Sequence, residues 1–163
     1  KESLRMRPDR VVVGEIRDGN AAMDMLQAMN TGHEGSMGTV HANSPRDCFT
    51  RIDGMVAIAG MKIDQQAVYS QVASALDLIV YQTRMRDGSR AVTHIVEITG
   101  MEGSVISMQD IFVRPAHAEG ASDPLRAAGL IPNCYQKIID SGQTIDRGMF
   151  LLPDEVGSAN RWR

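Results

Sequence analysis

The chain has 163 residues, a mass of 17.8 kDa, 43% apolar residues and a formal net charge of −3. This is enough apolar material for one buried core of ordinary domain size. The slight acidity does not favour binding to nucleic acid or to an anionic membrane. No apolar run approaches the roughly twenty residues of a membrane-spanning helix.

The two cysteines, Cys48 and Cys134, are far apart and form no Cys-x-x-Cys pair. This usage predicts a reducing, cytoplasmic setting and no structural zinc ribbon. A strand is predicted shortly after Lys1, so we expect the chain to be a piece of a longer protein.

The first third of the chain predicts a βαβ-like unit. The β-branched run Val11–Val13 is typical of a strand that is covered on both faces, as in a parallel α/β sheet. The apolar spacing then becomes helical over 20–31, and Gly32 suits a left-handed C-cap. A second short strand is predicted from Met37, ending at His41.

Two more helices are predicted before the composition turns to strands. Ser44 is placed to cap a helix over 45–59 that has Pro45 at its first position. Asp64 is placed to cap the third helix.

The following segment predicts an antiparallel meander of three strands. The strands fall at 78–81, 91–99 and 105–113, with turns at 87–88 and 100–104. A Pro, Ala, Gly and Ser-rich stretch at 114–124 predicts a linker, and helical fragments are predicted around 124–129 and 133–141. The end, 153–163, is expected to be loose.

Glu15 follows the first strand at the carboxyl end, which is the edge where open α/β sheets bind ligands. A carboxylate there could deprotonate or orient a water, or hold Mg²⁺ through the ion's hydration shell. The alternative is a simple ion pair with Arg17 or another of the early arginines.

His33 and His41 lie eight residues apart among turn-forming residues. His41 is predicted at the same sheet edge as Glu15, where an imidazole could donate to a phosphate oxygen. The two histidines and Glu15 could also suggest a metal site, although the His-x-x-x-His spacing of zinc hydrolases is missing. A histidine in a glycine-rich turn otherwise caps or packs.

A phosphate-binding Gly-x-x-x-x-Gly-Lys-Ser/Thr loop is absent, because Lys1, Lys62 and Lys137 have no such context. The chain also lacks a Gly-x-Ser-x-Gly elbow and a His-x-Glu motif with the paired cysteines of zinc deaminases.

Two segments resemble a known family. "LRMRPDRVVVGEIRD" resembles the Walker B box of the type II/IV secretion-system ATPases, and "MLQAMNTGHEGSMGTVHANSPRD" resembles their His box. The likeness is greatest to the Tad or Flp pilus motors, called CpaF-like. It continues through "SALDLIVYQTRMRDGSRAVTHIVEITGMEGSVISMQDIF" and so spans about two thirds of the chain.

The resemblance implies roles for individual residues. Glu15 would be the Walker B glutamate near Mg²⁺ and the attacking water, and His41 the histidine that contacts the γ-phosphate region. His33 and Gly32 would belong to the same nucleotide-binding box, with Arg17 as a family arginine whose role is unspecified. No direct metal ligand is assigned. An arginine-rich approach to Walker B, which includes Arg5 and Arg7, would face a neighbouring subunit.

The resemblance also implies a fold and an assembly. The fold class would be α/β, the later part of a RecA-like P-loop NTPase domain with an antiparallel β-meander and C-terminal helices. The division would be 1–113 for this ATPase portion, 114–124 for the linker and 125–163 for a divergent tail. The Walker A loop, acidic box and N-terminal domain would precede Lys1. A tetracysteine zinc motif is absent, which favours the Tad branch.

The intact protein would be a homo-oligomeric ring, usually hexameric, that uses ATP and Mg²⁺ for pilus biogenesis or protein secretion. It would bind no nucleic acid and would work with inner-membrane platform proteins at the cytoplasmic face of a bacterial inner membrane. The chain alone would bind ATP weakly or not at all and would be inactive. The alternatives are a non-catalytic, truncated or degenerate paralogue that acts as an assembly module, and a metal-dependent hydrolase built on His33, His41 and Glu15.

Overall fold

The computed structural model describes residues 7–152. The helices in chain order are α1 (Gly19–Asn30), α2 (Asp47–Ile58), α3 (Gln65–Ala75) and α4 (Cys134–Asp140). The strands are β1 (Val12–Val13), β2 (Met37–Gly38), β3 (Leu78–Arg84), β4 (Arg90–Glu102), β5 (Val105–Val113) and β6 (Arg126–Ala127). A 3₁₀ turn covers Arg147–Phe150. No helix within 7–152 is long and apolar enough to cross a membrane.

The chain divides into two compact units. The first unit contains the residues through Asp77 together with Gly100–Ser107, and the second contains Leu78–Thr99 and the residues from Met108 onward. The first unit carries β1, β2 and the first three helices, and it therefore contains every residue that the sequence singled out as a candidate site.

Three helices form the core of the first unit. Helix α1 packs on both α2 and α3, and these two also pack on each other. The buried apolar residues recur at helical spacing, as the sequence predicts. They are Ala22, Met25, Leu26 and Ala28 of α1, Phe49, Ile52, Met55 and Val56 of α2, and Val68 and Val72 of α3.

The helix ends follow the capping chemistry of the sequence. Asp64 accepts from the Gln66 backbone N–H at 3.0 Å, which confirms its predicted role as the cap of α3. Ser44 Oγ accepts from the Asp47 N–H at 3.1 Å, so Ser44 closes a turn and α2 begins at Asp47, two residues later than predicted. Gly32 follows α1 with φ of 94°, as predicted from its position.

Strands β1 and β2 pair in parallel, with Val12 opposite Met37 and Val13 opposite Gly38. Since α1 lies between them in the chain, the βαβ-like unit is confirmed. The prediction of a strand covered on both faces is wrong for Val12, which is 70% exposed. The reason is that this sheet has only two strands within the described residues, so nothing covers that face.

The second strand is shorter than predicted. It ends at Gly38, so His41 lies in the following loop and not at the strand end. Regular strand pairing stops after Gly38 because the segment that follows β1 bends at Gly14. The Ile16 N–H still donates to the Thr39 carbonyl at 2.9 Å, and the Thr39 hydroxyl donates to the Gly14 carbonyl.

The predicted antiparallel meander is confirmed. The sheet order is β3-β4-β5-β6, and β3 pairs antiparallel with β4 through a bulge between Tyr81 and Gln82. The predicted turn at 87–88 is held by Asp87 Oδ1, which accepts from the Ser89 N–H at 2.9 Å and the Ser89 hydroxyl at 2.6 Å. These hydrogen bonds lower the pKa of Asp87.

The helical fragment predicted at 124–129 is wrong, because this segment contains β6. Strand β6 pairs antiparallel with the end of β5, and the Ala128 N–H donates to the Ile111 carbonyl at 2.9 Å. An open strand edge satisfies this backbone better than a single helical turn does. The second fragment is confirmed as α4.

The predicted linker at 114–124 is anchored at its first residue. Arg114 Nε donates to the Val92 carbonyl at 3.0 Å, and its Nη1 reaches the Gly120 carbonyl at 3.4 Å. The three-part domain division stays a prediction, and the expectation for 153–163 lies outside the described residues.

Candidate functional site

Glu15, Arg17 and His41 form one cluster at the carboxyl ends of β1 and β2. Glu15 Oε2 accepts from Arg17 Nε at 2.7 Å, and Arg17 Nη2 makes a further close contact with the same oxygen. His41 Nε2 lies 3.2 Å from Oε1, the other carboxylate oxygen. The Glu15 side chain is 26% exposed, whereas Arg17 and His41 are 78% and 89% exposed.

The backbone explains why these residues meet. Parallel pairing of β1 with β2 places their carboxyl ends at the same edge of the sheet. Thr39 then ties the two exit segments together through Ile16 and Gly14. Glu15 and His41, distant in the chain, consequently face each other just beyond this connection.

The cluster stabilises the ionised form of Glu15. The Arg17 hydrogen bond lowers the pKa of Glu15 against a smaller opposing effect of burial, and the charges of Arg17 and His41 lower it further. The same contact raises the pKa of Arg17. The site therefore presents a carboxylate whose two oxygens each face a nitrogen.

His33 and Gly32 lie at the end of α1. His33 Nδ1 is 3.2 Å from the Ala28 carbonyl, which also accepts from the His33 backbone N–H at 3.3 Å. The His33 carbonyl accepts from the Ser36 hydroxyl at 2.7 Å, and Ser36 Oγ accepts from the Val11 N–H at 2.9 Å. Through these contacts His33 stabilises the loop that connects α1 to β2. The nucleotide-binding assignment of His33 and Gly32 stays a prediction.

A metal site built on His33, His41 and Glu15 is not supported by the arrangement. Within residues 7–152 no group of three or more His, Cys, Asp or Glu side chains lies close enough to hold a metal ion. The contacts of His33 go to the end of α1 and those of His41 go to Glu15. This separation weakens the metal-hydrolase alternative.

An open groove of about 620 Å³ begins at His41 and runs along one face of α2. Its lining residues on α2 recur at helical spacing, and Gly54 leaves room for a side chain because a Cβ there would meet nothing within 4 Å. The lining residues are His41, Ala42, Asn43, Asp47, Thr50, Arg51, Gly54 and Ile58. Thr50 and Arg51 are not among the site residues predicted from the sequence. Their position on the polar face of the predicted helix is the feature that could have identified them.

Comparison with known proteins gives a consistent family. Residues 1–122 match the model of the type II/IV secretion system protein family. A Mycobacterium tuberculosis (strain CDC 1551 / Oshkosh) protein named for conjugal transfer is 44% identical over 105 residues, which cover 64% of this chain and 29% of that protein. The conjugal transfer protein TrbB of Rhizobium radiobacter is 39% identical over 100 residues, covering 61% of this chain and 29% of that protein.

One solved structure shows the same fold. The VirB11 ATPase from the Brucella suis type IV secretion system, crystallised with sulphate, matches with a TM-score of 0.51 and 26% sequence identity. The match covers 57% of this chain and 30% of that chain. The mixed α/β fold with an antiparallel sheet is therefore that of the VirB11 ATPase domain.

The chain spans less than a third of the length of these relatives. The family model nevertheless covers most of this chain, including Glu15, Arg17, His33 and His41. The chain therefore belongs to the type II/IV secretion system protein family.

Proposed function

We propose that this chain is the C-terminal portion of a motor ATPase that couples ATP hydrolysis to pilus biogenesis or protein secretion. The observation that carries the proposal is the Glu15 carboxylate at the carboxyl end of β1, with His41 Nε2 at 3.2 Å. Phosphoryl transfer needs a residue that orients the attacking water and donors that stabilise the developing charge, and these two side chains match those roles.

The charges at the site are compatible with ATP and Mg²⁺. An ionised, partly exposed carboxylate suits Mg²⁺, which prefers oxygen ligands and keeps several waters, so Glu15 would act through such a water. Arg17 and His41 supply donors for phosphate oxygens. A Gly-x-x-x-x-Gly-Lys-Ser/Thr loop is absent from the 163 residues, so the chain by itself would bind ATP weakly.

The relatives support the proposal that the complete protein is a motor of a secretion or conjugal transfer system. Two are named for conjugal transfer, and the solved structure is an ATPase of a type IV secretion system. The intact protein would form a homo-oligomeric ring and work with platform proteins at the inner membrane, from the cytoplasmic side. Placement in the Tad or Flp branch stays a prediction that rests on the sequence likeness and the missing tetracysteine motif.

The second candidate function is a non-catalytic assembly module. Such a paralogue would keep the packed helices of the first unit and would lack a phosphate-binding loop in the complete polypeptide. In that case the ion pairs of Glu15 would be purely structural.

The test is Glu15→Gln in the full-length protein that contains this chain. Glutamine keeps the shape but removes the base, so we expect ATP turnover to fall by about 100-fold or more while nucleotide binding is retained. Glu102→Gln, at the exposed end of β4, is the matched control and should leave turnover unchanged. Normal turnover in Glu15→Gln would remove Glu15 from the mechanism.

A further inference from the structure

We propose that Arg17 is a positioning residue that holds Glu15 in an ion pair in which the carboxylate is less basic, and that its side chain moves to the γ-phosphate when ATP binds. This inference rests on the proposed function, because it assigns a regulatory step to the same site. It gives Arg17 the role that the sequence left unspecified.

The geometry shows a carboxylate with a nitrogen beside each of its two oxygens. Oε2 accepts from Arg17 at 2.7 Å, and Oε1 lies 3.2 Å from His41 Nε2. A general base must have a lone pair within hydrogen-bond reach of the attacking water. In this arrangement the Arg17 guanidinium stabilises the ionised carboxylate and so makes Glu15 a weaker base, and release of Arg17 would make it a stronger one.

Arg17 is the partner that a γ-phosphate would draw away, because its guanidinium is always charged. Its side chain is 78% exposed at the open edge of the sheet, so it can swing without disturbing a packed core. It is two residues from Glu15, and it therefore stays near the site after the ion pair opens. His41, which is 89% exposed, lies in the loop after β2 with its Nε2 3.2 Å from Oε1.

The γ-phosphate of ATP would attract Arg17 more strongly than the Glu15 carboxylate does. A γ-phosphate carries more negative charge than a carboxylate, and its oxygens accept two parallel hydrogen bonds from a guanidinium. Binding of ATP would thus draw Arg17 from Oε2 and free that oxygen for water. ADP lacks the γ-phosphate, so the ion pair would remain closed with ADP bound.

The exchange predicts opposite effects of removing the two partners. In Arg17→Ala the γ-phosphate loses a donor, so a non-hydrolysable ATP analogue should bind about tenfold more weakly while ADP binding is unchanged. In Glu15→Gln the neutral amide holds Arg17 less firmly, so the same analogue should bind several times more tightly than to the wild type. The double variant should bind like Arg17→Ala.

The experiment is calorimetric titration of the full-length protein and its variants with Mg²⁺ and either the ATP analogue or ADP. Arg90→Ala, an exposed arginine on β4, is the control for loss of a positive charge. Arg17→Lys should recover part of the analogue affinity, and it also serves if Arg17→Ala fails to fold.

The outcomes separate the two claims. A wild-type protein that binds neither nucleotide would contradict the proposed function itself. Wild-type binding together with equal losses for ATP analogue and ADP in Arg17→Ala, or no loss for either, would overturn the exchange alone. Weaker analogue binding in Glu15→Gln would overturn it as well.

Discussion

Glu97 is a buried carboxylate, 2% exposed, on a strand whose other buried residues are mainly apolar. Its Oε1 accepts from the Cys134 N–H at 2.7 Å, and its Oε2 accepts from the Asn133 N–H at 2.9 Å and from Gln109 Nε2 at 2.8 Å. These backbone donors belong to the start of α4, which has no side-chain cap of its own. Glu97 therefore caps this helix from a distant strand.

Replacement of Glu97 should loosen α4. Glu97→Ala leaves two backbone N–H groups and the Gln109 amide without their acceptor, so we expect a loss of about 2–3 kcal/mol in the free energy of unfolding. Glu97→Gln keeps one acceptor oxygen and should lose less. Urea unfolding measures both, with Asp110→Asn on the exposed face of β5 as the control. Equal stability of Glu97→Ala and the control would show that the cap contributes nothing.

Cys48 is the other residue whose burial has a measurable consequence. Burial raises the pKa of its thiol from an ordinary value of 9.0 to about 11. Between these two values the unfolded chain loses the proton while the folded chain keeps it, so deprotonation favours the unfolded state. The contribution to stability is complete below pH 9.0 and is lost as the pH rises to about 11.

The stability of the wild type should therefore fall more steeply than that of Cys48→Ala across this alkaline range. The difference should be on the order of 2–3 kcal/mol. The measurement is chemical unfolding of both proteins at a series of pH values. Parallel curves for the two proteins would mean that the thiol titrates normally in the folded state.

At the scale of elements, two glycines predict opposite effects. Gly19 begins α1 at its closest approach to α2, where a Cβ would lie 2.4 Å from the Met55 carbonyl oxygen and 2.7 Å from Val56 Cα. Both atoms are backbone, so the helices would have to move apart. Gly54 lies inside α2 with nothing within 4 Å of a Cβ.

Gly19→Ala should destabilise the protein by about 1–3 kcal/mol through overpacking. Gly54→Ala should stabilise it by up to about 1 kcal/mol, because alanine forms helix better and meets no obstacle. Thermal unfolding of the two variants gives the comparison directly. A gain in stability for Gly19→Ala would contradict the close approach of α1 to α2.

The elements also show what local sequence can predict. Helix α3 with its Asp64 cap and the turn at 87–88 depend on neighbouring residues, and both were predicted. Strand β6 was missed because the free edge of β5 decides its pairing. The role of Glu97 was missed because its partners come from residues far along the chain.

Part of the candidate site also follows from the sequence, and part does not. Parallel strands bring their ends together, so proximity of Glu15 to His41 followed from the predicted βαβ-like unit. The sequence also offers the ion pair of Glu15 with Arg17 as an alternative, and the structure shows that contact. The approach of His41 Nε2 to the other carboxylate oxygen depends on side-chain geometry beyond Gly14 and does not follow from the sequence. The groove along α2 could not be predicted either, because it begins at His41 and so depends on the position of His41 in the loop after β2.

At the scale of the whole molecule, the proposed function needs groups that this chain does not contain. In the proposed ATP hydrolysis Glu15 and His41 would act at the reacting phosphate, whereas the loop that would hold the β- and γ-phosphates is absent from the 163 residues. The exposed faces of Val12 and Met37, at 70% and 58%, are consistent with a parallel sheet that continues in a longer polypeptide. The central claim of the proposed function is therefore a requirement that a longer native protein completes this site.

The most direct test is the native coding sequence upstream of Lys1, together with the intact mass of the polypeptide isolated from its source. Our account predicts that the reading frame continues upstream into a Gly-x-x-x-x-Gly-Lys-Ser/Thr loop and that the mass includes it. A native polypeptide that begins near Lys1 would contradict the account, because Glu15 would then have no phosphate-binding loop in its own chain and the assembly-module function would be favoured.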